Sequence, residues 1–313
     1  MLVSNPFTHE LLLPTVYRLG PLLGIALVAI LLRHHGRVDQ IKQDVLFHRW
    51  RTWLVIAPTY TLAILSGSLA TVLLVALISF QALREYAALV QLPQNYRLML
   101  LAFGLIAAPV ALIEHNALYI LPALLLIIAT LQPLTLGDMR NGVRHLAFAT
   151  MGWAYIAWLL AHSITLYKWF AAGPGILLAV GPSVAISDVG AFVVGKLIGK
   201  HKMAPKVSPN KTYEGVAGNF LGAALGTLLM NFALPDGRTV LTLVALPTLI
   251  ALGAILGDLF ESVIKREFGV KDAGTCLPGF GGLLDRIDSF IIVLPLVYYF
   301  YSLTHGLGPA RSM

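Results

Sequence analysis

The sequence predicts an all-α polytopic integral membrane protein, with about ten transmembrane helices and its chemistry in cytoplasmic catalytic loops. Hydrophobic residues make up 58% of the 313 residues and charged residues only 12%, and the mean hydropathy is +0.79. These values are far from the balance of a soluble domain. Apolar windows of about 18 residues, long enough to cross the hydrocarbon core as helices, recur along the whole chain. A cleaved signal peptide would give only one, near the start.

Ten apolar segments are candidate spans by window length. They cover residues 15–32, 52–66, 69–83, 98–113, 117–136, 146–162, 172–195, 214–233, 239–257 and 289–304. The second and third are short and are separated only by Ser66, Gly67 and Ser68. This pair is therefore predicted to form either a tight hairpin or a partly re-entrant structure.

The basic residues predict the orientation of these spans, because cytoplasmic loops carry the excess of Lys and Arg. Of the 22 basic residues, one side of the predicted membrane has only Arg18, Lys168, Arg238 and Arg311. The other side carries all the rest, which predicts ten spans with both termini outside the cytoplasm. The net charge of +7 is thus a topology signal that also favours anionic lipid, and we expect no nucleic-acid partner. The single Cys276 cannot form an internal disulfide.

The distribution of polar residues predicts two parts of the chain. Residues 1–171 hold N-terminal transmembrane helices with few intramembrane charges, and residues 172–313 form a C-terminal transmembrane catalytic region. In the second part, the polar segments 195–215 and 257–288 interrupt the apolar sequence. Both face the cytoplasm in the predicted topology, so a site for soluble, charged substrates is expected there.

The segment 257–288 is the strongest candidate site. Asp258, Ser262 and Lys265 follow one another at i, i+4 and i+7, so on a helix they share one face, with Glu261 beside them. Further along the segment come Arg266, Lys271, Asp272, Pro278, Gly279, Gly281, Gly282, Asp285, Arg286 and Asp288. The glycines allow close backbone approach, and the N-terminus of a following helix favours anions. Oxygen ligands beside Lys and Arg are typical of a Mg²⁺ site that handles phosphates, whereas the alternative is a solvated loop between two spans.

The upstream polar segment is a second candidate for anion binding. It is rich in lysine, including Lys211, and Thr212 is a plausible N-cap for a helix that begins near Tyr213. A helix start with nearby lysines suits a phosphate, although positive-inside bias and an ordinary cap would give the same pattern. Asp188 lies inside or at the edge of a predicted span, where an ionisable side chain indicates a function unless it is interfacial.

A third group of polar residues occurs in the N-terminal part. Arg84, Glu85 and Tyr86 follow an apolar run and are predicted to mark the end of a span. Tyr86 is then expected in the interfacial aromatic belt, where its ring meets lipid and its hydroxyl meets water.

These motifs resemble the signature of the phosphatidate cytidylyltransferases, or CDP-diacylglycerol synthases, which are integral membrane enzymes that join CTP to phosphatidic acid. The family pattern is S-x-x-K-R-x4-K-D, a Pro-Gly-His-Gly-Gly turn and D-R-x-D. The chain matches it at Ser262, Lys265, Arg266, Lys271, Asp272, Pro278, Gly279, Gly281, Gly282, Asp285, Arg286 and Asp288. The segment 188–215 is similar to a second region of the family, and the remainder resembles it only in hydropathy. Phe280 stands where the family usually has a histidine, so a titratable, hydrogen-bonding group is replaced by an apolar one.

The resemblance implies a role for each matching residue. Asp258 and Asp285 would hold Mg²⁺, alone or with a monovalent cation as a further cofactor. Catalytic roles would fall to Asp258, Lys265, Arg266, Asp285, Arg286 and Asp288. Substrate binding would fall to Asp188, Ser208, Lys211, Thr212, Glu214, Ser262, Lys271, Asp272, Gly281 and Gly282. The acceptor phosphate, with a second pKa of about 6, could attack the α-phosphorus of CTP without a strong base, because cations stabilise the charge that develops.

The expected partners are CTP, phosphatidate or a related lipid phosphate, and the lipid bilayer, and the resemblance also suggests a homodimer. The expected location is the bacterial inner membrane, with the site facing the cytoplasm. Three alternatives stay open at this point. The chain could act on another lipid or polyprenyl phosphate, which Phe280 favours. It could be a transporter, but the concentration of its carboxylates in loops on one side argues against that function. It could also be an inactive scaffold.

Overall fold

A computed structural model describes residues 2–34, 38–235, 237, 239–277 and 281–305 of the chain. These residues fold mainly into long helices, which confirms the predicted polytopic helical class. Helices α1 to α6 cover Leu12–Arg33, Val38–Gln43, Val45–Leu65, Ser68–Leu89, Gln94–Ile113 and Ala117–Leu136. Helices α7 to α12 cover Gly142–Gly152, Leu159–Trp169, Gly173–Ile198, Tyr213–Leu229, Val240–Glu267 and Leu284–His305. A π-helical turn, Trp153–Trp158, joins α7 and α8 into one continuous helix.

Each of the ten predicted spans coincides with a helix, and eight of the described helices are long and apolar enough to cross a membrane. Helix α10 is not among these eight because its 17 residues reach only about 25 Å, against a hydrocarbon core of about 30 Å. Helix α3 is not among them because its first turns carry His48, Arg49 and Arg51. The count of ten spans therefore stays a prediction, whereas eight is what length and composition support.

The second and third predicted spans form a tight helical hairpin. Helix α3 ends at Leu65 and α4 begins at Ser68, and Gly67 between them has a φ of +109°, which glycine adopts without steric cost. The N-terminal segment packs over this turn, where the Ser4 amide donates to Ser66 O at 2.9 Å.

The outer surface of the bundle is apolar. On α6, the side chains of Leu124, Ile127, Leu131 and Leu134 are all exposed, and they recur at helical spacing on one face. A continuous exposed apolar surface of this kind is stable in lipid, so the chain is an integral membrane protein.

The interior contains aromatic residues that the interface was expected to hold. Tyr86 is completely buried, and its hydroxyl donates to Phe148 O at 3.0 Å. The prediction of Tyr86 in an aromatic belt was therefore wrong, because its hydroxyl finds a partner inside the bundle instead of at the lipid surface. Gly152 makes this packing possible, since a Cβ there would lie 2.2 Å from the Tyr86 ring.

The predicted boundary between residues 171 and 172 falls in the connection between α8 and α9. Helices on its two sides pack against each other: the rings of His162 on α8 and Tyr298 on α12 lie 5.3 Å apart. The division into two functional parts stays a prediction, since the packing is continuous across it.

A small β-hairpin is the exception to the helical fold. Strands β1 (Lys202–Ala204) and β2 (Ser208–Thr212) pair antiparallel between α9 and α10. Thr212 ends β2 and caps α10, where its hydroxyl accepts the Gly215 amide at 3.0 Å, as predicted. The hairpin is thus held at a fixed angle to α10.

Helices α9 and α10 approach each other unusually closely. A Cβ on Gly190 would lie 2.3 Å from Gly218 O, and one on Gly222 would lie 2.4 Å from Ile186 O. Small residues allow such backbone contact between membrane helices. The contact fixes the position of Asp188 on α9 relative to the hairpin that precedes α10.

Helix α11 extends beyond the apolar layer. Its 28 residues span about 42 Å, more than a hydrocarbon core of about 30 Å, and its last turns carry the predicted polar face. Gly257 lets α12 approach this part of α11, because a Cβ there would lie 2.1 Å from Asp288 O. The two helices therefore bring their polar turns together.

Candidate active site

Lys265 of α11 lies at the centre of a buried charge cluster. Its Nζ contacts Glu261 Oε2 at 2.5 Å and Asp285 Oδ1 at 2.8 Å, and all three residues are buried. Removing an ion from water costs several kcal/mol, so buried charges are stable only with close partners. We call these three residues the Lys265 cluster; it fixes the end of α11 to the start of α12.

Asp285 also shapes the loop that precedes its helix. Its carboxylate accepts the Ala273 amide at 3.0 Å and the Gly282 amide at 2.8 Å. A carboxylate offers about four acceptor positions, and these two amides together with Lys265 use most of them. We call the described residues 268–277 and 281–283 the signature loop. Gly281 has a φ of +88°, which explains the glycine there.

Glu85 is a component of the site that sequence reasoning missed. This buried side chain of α4 accepts the Leu284 amide at 2.8 Å and the Gln81 side-chain amide at 2.9 Å. Gly282 packs directly against it, since a Cβ there would lie 2.6 Å from Glu85 Oε2. Nothing near Glu85 in the sequence indicates this contact, because its partner lies 199 residues further along the chain.

Tyr155 is a second contribution from the N-terminal part. It lies in the π-helical turn between α7 and α8, and its hydroxyl donates to Gly257 O at 3.4 Å. Single π-helical turns often occur at functional sites. Here the turn directs a hydroxyl toward the polar end of α11, beside Asp258.

A second charge contact joins the β-hairpin to α11. Lys211 Nζ lies 2.7 Å from Asp258 Oδ2, and the two side chains are 21% and 41% exposed. Ser262, one turn along, donates to Asp258 Oδ1 at 3.4 Å. Ion pairs with this much solvent contact contribute about 0–1 kcal/mol to stability, so this pair can open. Lys211 could then contact a substrate phosphate, and Asp258 could contact a cation.

Further carboxylates surround Asp258. Asp188 and Asp288 both lie within electrostatic range of it, and Arg286 interacts with Asp188. Ser289 connects Asp188 and Asp288: its amide donates to Asp288 Oδ1 at 2.8 Å, and its hydroxyl donates to Asp188 Oδ1 at 3.4 Å. Helices α9, α11 and α12 thus each direct one acid toward the same region, next to the lysine of the hairpin.

Other predicted residues serve the loops around this region. The Arg266 guanidinium donates to Val207 O at 3.1 Å and to Val270 O at 3.2 Å, so it ties the hairpin to the signature loop. Glu214, in the first turn of α10, pairs with Nδ1 of His201, just before β1, at 2.6 Å. The remaining predicted positions are exposed or half-buried and have no described contact to Asp188, Asp258 or Asp288: they are Ser208, Lys271 and Asp272. Their catalytic or binding roles stay predictions.

The predicted metal ligands do not meet in the described part of the chain. No three or more His, Cys, Asp or Glu side chains there are arranged to hold a metal ion. Asp258 faces Lys211 whereas Asp285 faces Lys265, and no described contact joins the two carboxylates. Pro278, Gly279 and Phe280 lie outside the described residues.

The sequence is similar to known proteins over most of the chain. The model of the cytidylyltransferase family matches residues 47–304. The uncharacterized protein YnbB of Escherichia coli (strain K12) is 34% identical over 301 residues, which are 90% of this chain and 96% of that protein.

Shorter matches carry a functional name. The phosphatidate cytidylyltransferases of Staphylococcus saprophyticus and Staphylococcus aureus (strain COL) are each 40% identical over 151 residues. The matched region covers 48% of this chain and 57% of each staphylococcal protein.

Proposed function

The chain belongs to the cytidylyltransferase family, and from this premise we propose that it transfers CMP from CTP to phosphatidate, forming CDP-diacylglycerol and pyrophosphate. Membership of the family makes it a membrane-embedded nucleotidyltransferase. The choice of phosphatidate is supported by the staphylococcal relatives that carry this name.

The observation that carries the proposal is the contact between Lys211 and Asp258. It joins the hairpin to α11 at 2.7 Å, in a solvent-accessible position, with Asp188 and Asp288 nearby. Because this ion pair is weak, Lys211 and Asp258 can move apart when a nucleotide binds between them. Lys211 then contacts a phosphate, while the acids receive the cation that accompanies it.

The reaction needs no strong general base or acid from the protein. A phosphate oxygen of the acceptor attacks the α-phosphorus of CTP, a new P–O bond forms, and the bond to the bridging oxygen of pyrophosphate breaks. The acceptor is substantially ionised at neutral pH because its second pKa is about 6. Positioned cations therefore supply most of the catalysis: Lys211 at the nucleotide, Arg286 beside Asp188, and Lys265 by holding Asp285 and the signature loop in place.

The donor set fits a magnesium ion at Asp258 better than at Asp285. Magnesium prefers carboxylate oxygens, and Asp258 is partly exposed and held only by Lys211 and by a long contact from Ser262. Asp188 and Asp288 lie within electrostatic range of Asp258, although the three acids are not arranged as a metal site in the described residues and would have to draw together around the ion. Asp285 fits less well because Lys265 and two backbone amides already use most of its acceptor positions. When bound, Mg²⁺ would neutralise charge on the nucleotide phosphates. We propose Asp258 as the principal ligand, with Asp288 and Asp188 beside it.

The site is proposed to face the cytoplasm of a bacterial inner membrane. The loops on its side carry the large excess of Lys and Arg, which is the pattern of cytoplasmic loops. CTP would then reach the hairpin from the cytoplasm and the lipid acceptor from the inner leaflet.

The test uses purified protein with labelled CTP, Mg²⁺ and a lipid phosphate, and measures lipid-linked CMP. We expect product with phosphatidate, and we expect Lys211→Met to reduce it at least about tenfold, or about 1.4 kcal/mol of transition-state stabilisation. Lys206→Met, an exposed change on the same hairpin, is the matched control and should behave as wild type. Product with a polyprenyl phosphate but not with phosphatidate would overturn the proposed acceptor, and no product with either would overturn the proposed activity.

A further inference from the structure

A separate cavity of about 510 Å³ lies between α4, α5 and the signature loop. Its walls include Gln81, Arg84 and Glu85 of α4, Arg97 of α5, and Cys276 of the loop. The volume is typical of small-molecule sites. Lys211, Asp258 and Lys265 do not line it, so it is distinct from the charge contacts described above.

The cavity has an excess of hydrogen-bond donors. The Nε of Arg97 is buried and has no hydrogen-bond partner among the described residues, which is unfavourable unless a ligand supplies an acceptor. Arg84 adds a second guanidinium, whose contact with Gln81 is long, at 3.4 Å. Glu85 places one negative charge on the same wall, but its oxygens accept hydrogen bonds from Gln81 and Leu284 and it forms no described ion pair with either arginine, so the cations outnumber the acid in the lining. Two guanidinium groups with free donor capacity favour an anion, and phosphate matches their planar geometry.

An apolar surface leads from the cavity to the lipid. Leu101 of α5 lines the cavity, and Leu98 and Leu105 are 59% and 42% exposed. The three leucines are separated by three and four residues, so they share one face of the helix. A molecule with a phosphate at the arginines and hydrocarbon chains along this face would satisfy both kinds of surface.

The cavity also borders the part of the signature loop that Asp285 holds. Ala273 and Gly274 line it; the amide of Ala273 donates to Asp285, and Gly274 packs against Glu85. A ligand in the cavity therefore contacts the same loop that completes the proposed active site.

We propose that this cavity is an anion site that binds a phosphate monoester through Arg97 and Arg84, with a lipid phosphate favoured over a nucleotide by the leucine face. The inference rests on the proposed function only in taking a lipid phosphate as the acceptor. The arginine contacts themselves do not require that the chain transfers CMP.

The single cysteine of the chain makes the test direct, because Cys276 is exposed and lines the cavity. The experiment measures the rate at which N-ethylmaleimide modifies Cys276 of the detergent-purified protein, by intact mass, without turnover. The probes are phosphatidate, phosphatidylcholine as a lipid without a phosphate monoester, and CTP. At ten times its half-saturating concentration, phosphatidate should slow modification about tenfold, whereas phosphatidylcholine should not.

Variants separate the cavity from the rest of the site. Arg97→Gln should abolish the protection and Arg97→Lys should retain part of it, while Arg140→Gln, an exposed arginine outside the cavity, should leave it unchanged. Lys211→Met should also leave it unchanged, because Lys211 does not line the cavity. Protection by CTP alone, lost in Arg97→Gln, would assign the phosphate to the nucleotide and overturn the lipid source.

Two outcomes distinguish this inference from the proposed function. If the protein transfers CMP but no phosphate compound protects Cys276 in an Arg97-dependent way, the anion site is overturned and the proposed function stands. If phosphatidate protects Cys276 and Arg97→Gln removes the protection, yet no CMP is transferred, the proposed function fails and the anion site stands. The Arg97→Lys variant guards against a folding defect, because it keeps the charge in the same cavity.

Discussion

The two lysine–carboxylate contacts of the site differ in their exposure to solvent, and this difference separates their roles. Lys265 meets Glu261 and Asp285 in the interior, where each charge depends on the others. Lys211 meets Asp258 at the rim, where water reaches both side chains. The buried contact is costly to break and stabilises the fold, whereas the rim contact contributes little stability and can open.

The comparison shows that a signature residue need not touch a substrate. Asp285 belongs to the family pattern, yet most of its acceptor positions are used to hold the signature loop and α11. Asp258, only partly used by Lys211 and Ser262, is the acid that is available to a ligand. Three substitutions test this separation, from the largest expected effect to the smallest, and a fourth, at Phe280, tests the one departure from the family pattern.

Replacing Lys265 with Met should have the largest effect on stability. The change leaves Glu261 and Asp285 buried without their cation, and breaking a buried pair in this way costs about 3–5 kcal/mol. We expect a marked fall in the thermal unfolding midpoint in detergent, together with loss of CMP transfer. Lys206→Met removes an exposed lysine and serves as the control. An unfolding midpoint equal to that of the control would contradict a stabilising role for the Lys265 cluster.

Replacing Asp285 with Asn should have an intermediate effect on stability. Its size is unchanged, but the ion pair is lost and the amides of Ala273 and Gly282 meet a weaker acceptor, which we expect to cost about 1–3 kcal/mol. Activity should be lost because the signature loop is no longer held, and added Mg²⁺ should not restore it. The measurements are unfolding in detergent and CMP transfer over a range of Mg²⁺ concentrations. Near-normal turnover at saturating Mg²⁺ would show that Asp285 is not needed in this role.

Replacing Asp258 with Asn should barely change stability, by less than about 1 kcal/mol, because the pair with Lys211 is half exposed. The Mg²⁺ concentration that gives half-maximal CMP transfer should instead rise by about tenfold or more, as ligand-shell changes typically do. Asp258 and Asp285 thus make a matched pair of equal chemistry. If Asp285→Asn raised the Mg²⁺ requirement and Asp258→Asn did not, Asp285 and not Asp258 would be the metal ligand, and our assignment would be wrong.

Replacing Phe280 with His should have the smallest effect. Phe280 lies outside the described residues and is the one departure from the family pattern. The acceptor phosphate needs no strong base, so restoring the histidine should change kcat/KM for CTP and phosphatidate by less than about tenfold, or about 1.4 kcal/mol. A gain of about 10²-fold or more, the range of a general acid or base, would show that the natural protein is catalytically impaired.

Local chemistry made a large part of the fold and site predictable from the sequence. The helical class follows from apolar windows, the cap at Thr212 follows from its position before an apolar run, and the shared face of Asp258, Ser262 and Lys265 follows from helical spacing. Each of these depends on residues close together along the chain, at most the about 18 residues of an apolar window. The two strands of the hairpin were not predicted, because each is only a few residues long.

Contacts between distant parts of the chain were not predictable in this way. Glu85 meets the start of α12, and Tyr155 meets α11, through packing that no local pattern records. Tyr86 was misplaced for the same reason: composition identifies the end of a span but not whether that end faces lipid or protein. Asp285 was predicted to lie with Asp258 at a metal ion, but it pairs with Lys265. This pairing likewise depends on how α11 and α12 approach each other at Gly257.

The glycine contacts between α9 and α10 also limit how the site can move. A Cβ at Gly190 or at Gly222 would lie 2.3 or 2.4 Å from a backbone oxygen of the facing helix, so the two backbones are in close contact and we expect α9 and α10 to move together. Any opening that admits a nucleotide must therefore come from the segments at their ends. The β-hairpin is anchored to α10 by the Thr212 cap, so we expect the movement where the partly exposed Lys211–Asp258 pair joins it to α11, on the microsecond-to-millisecond timescale of loop and lid motions.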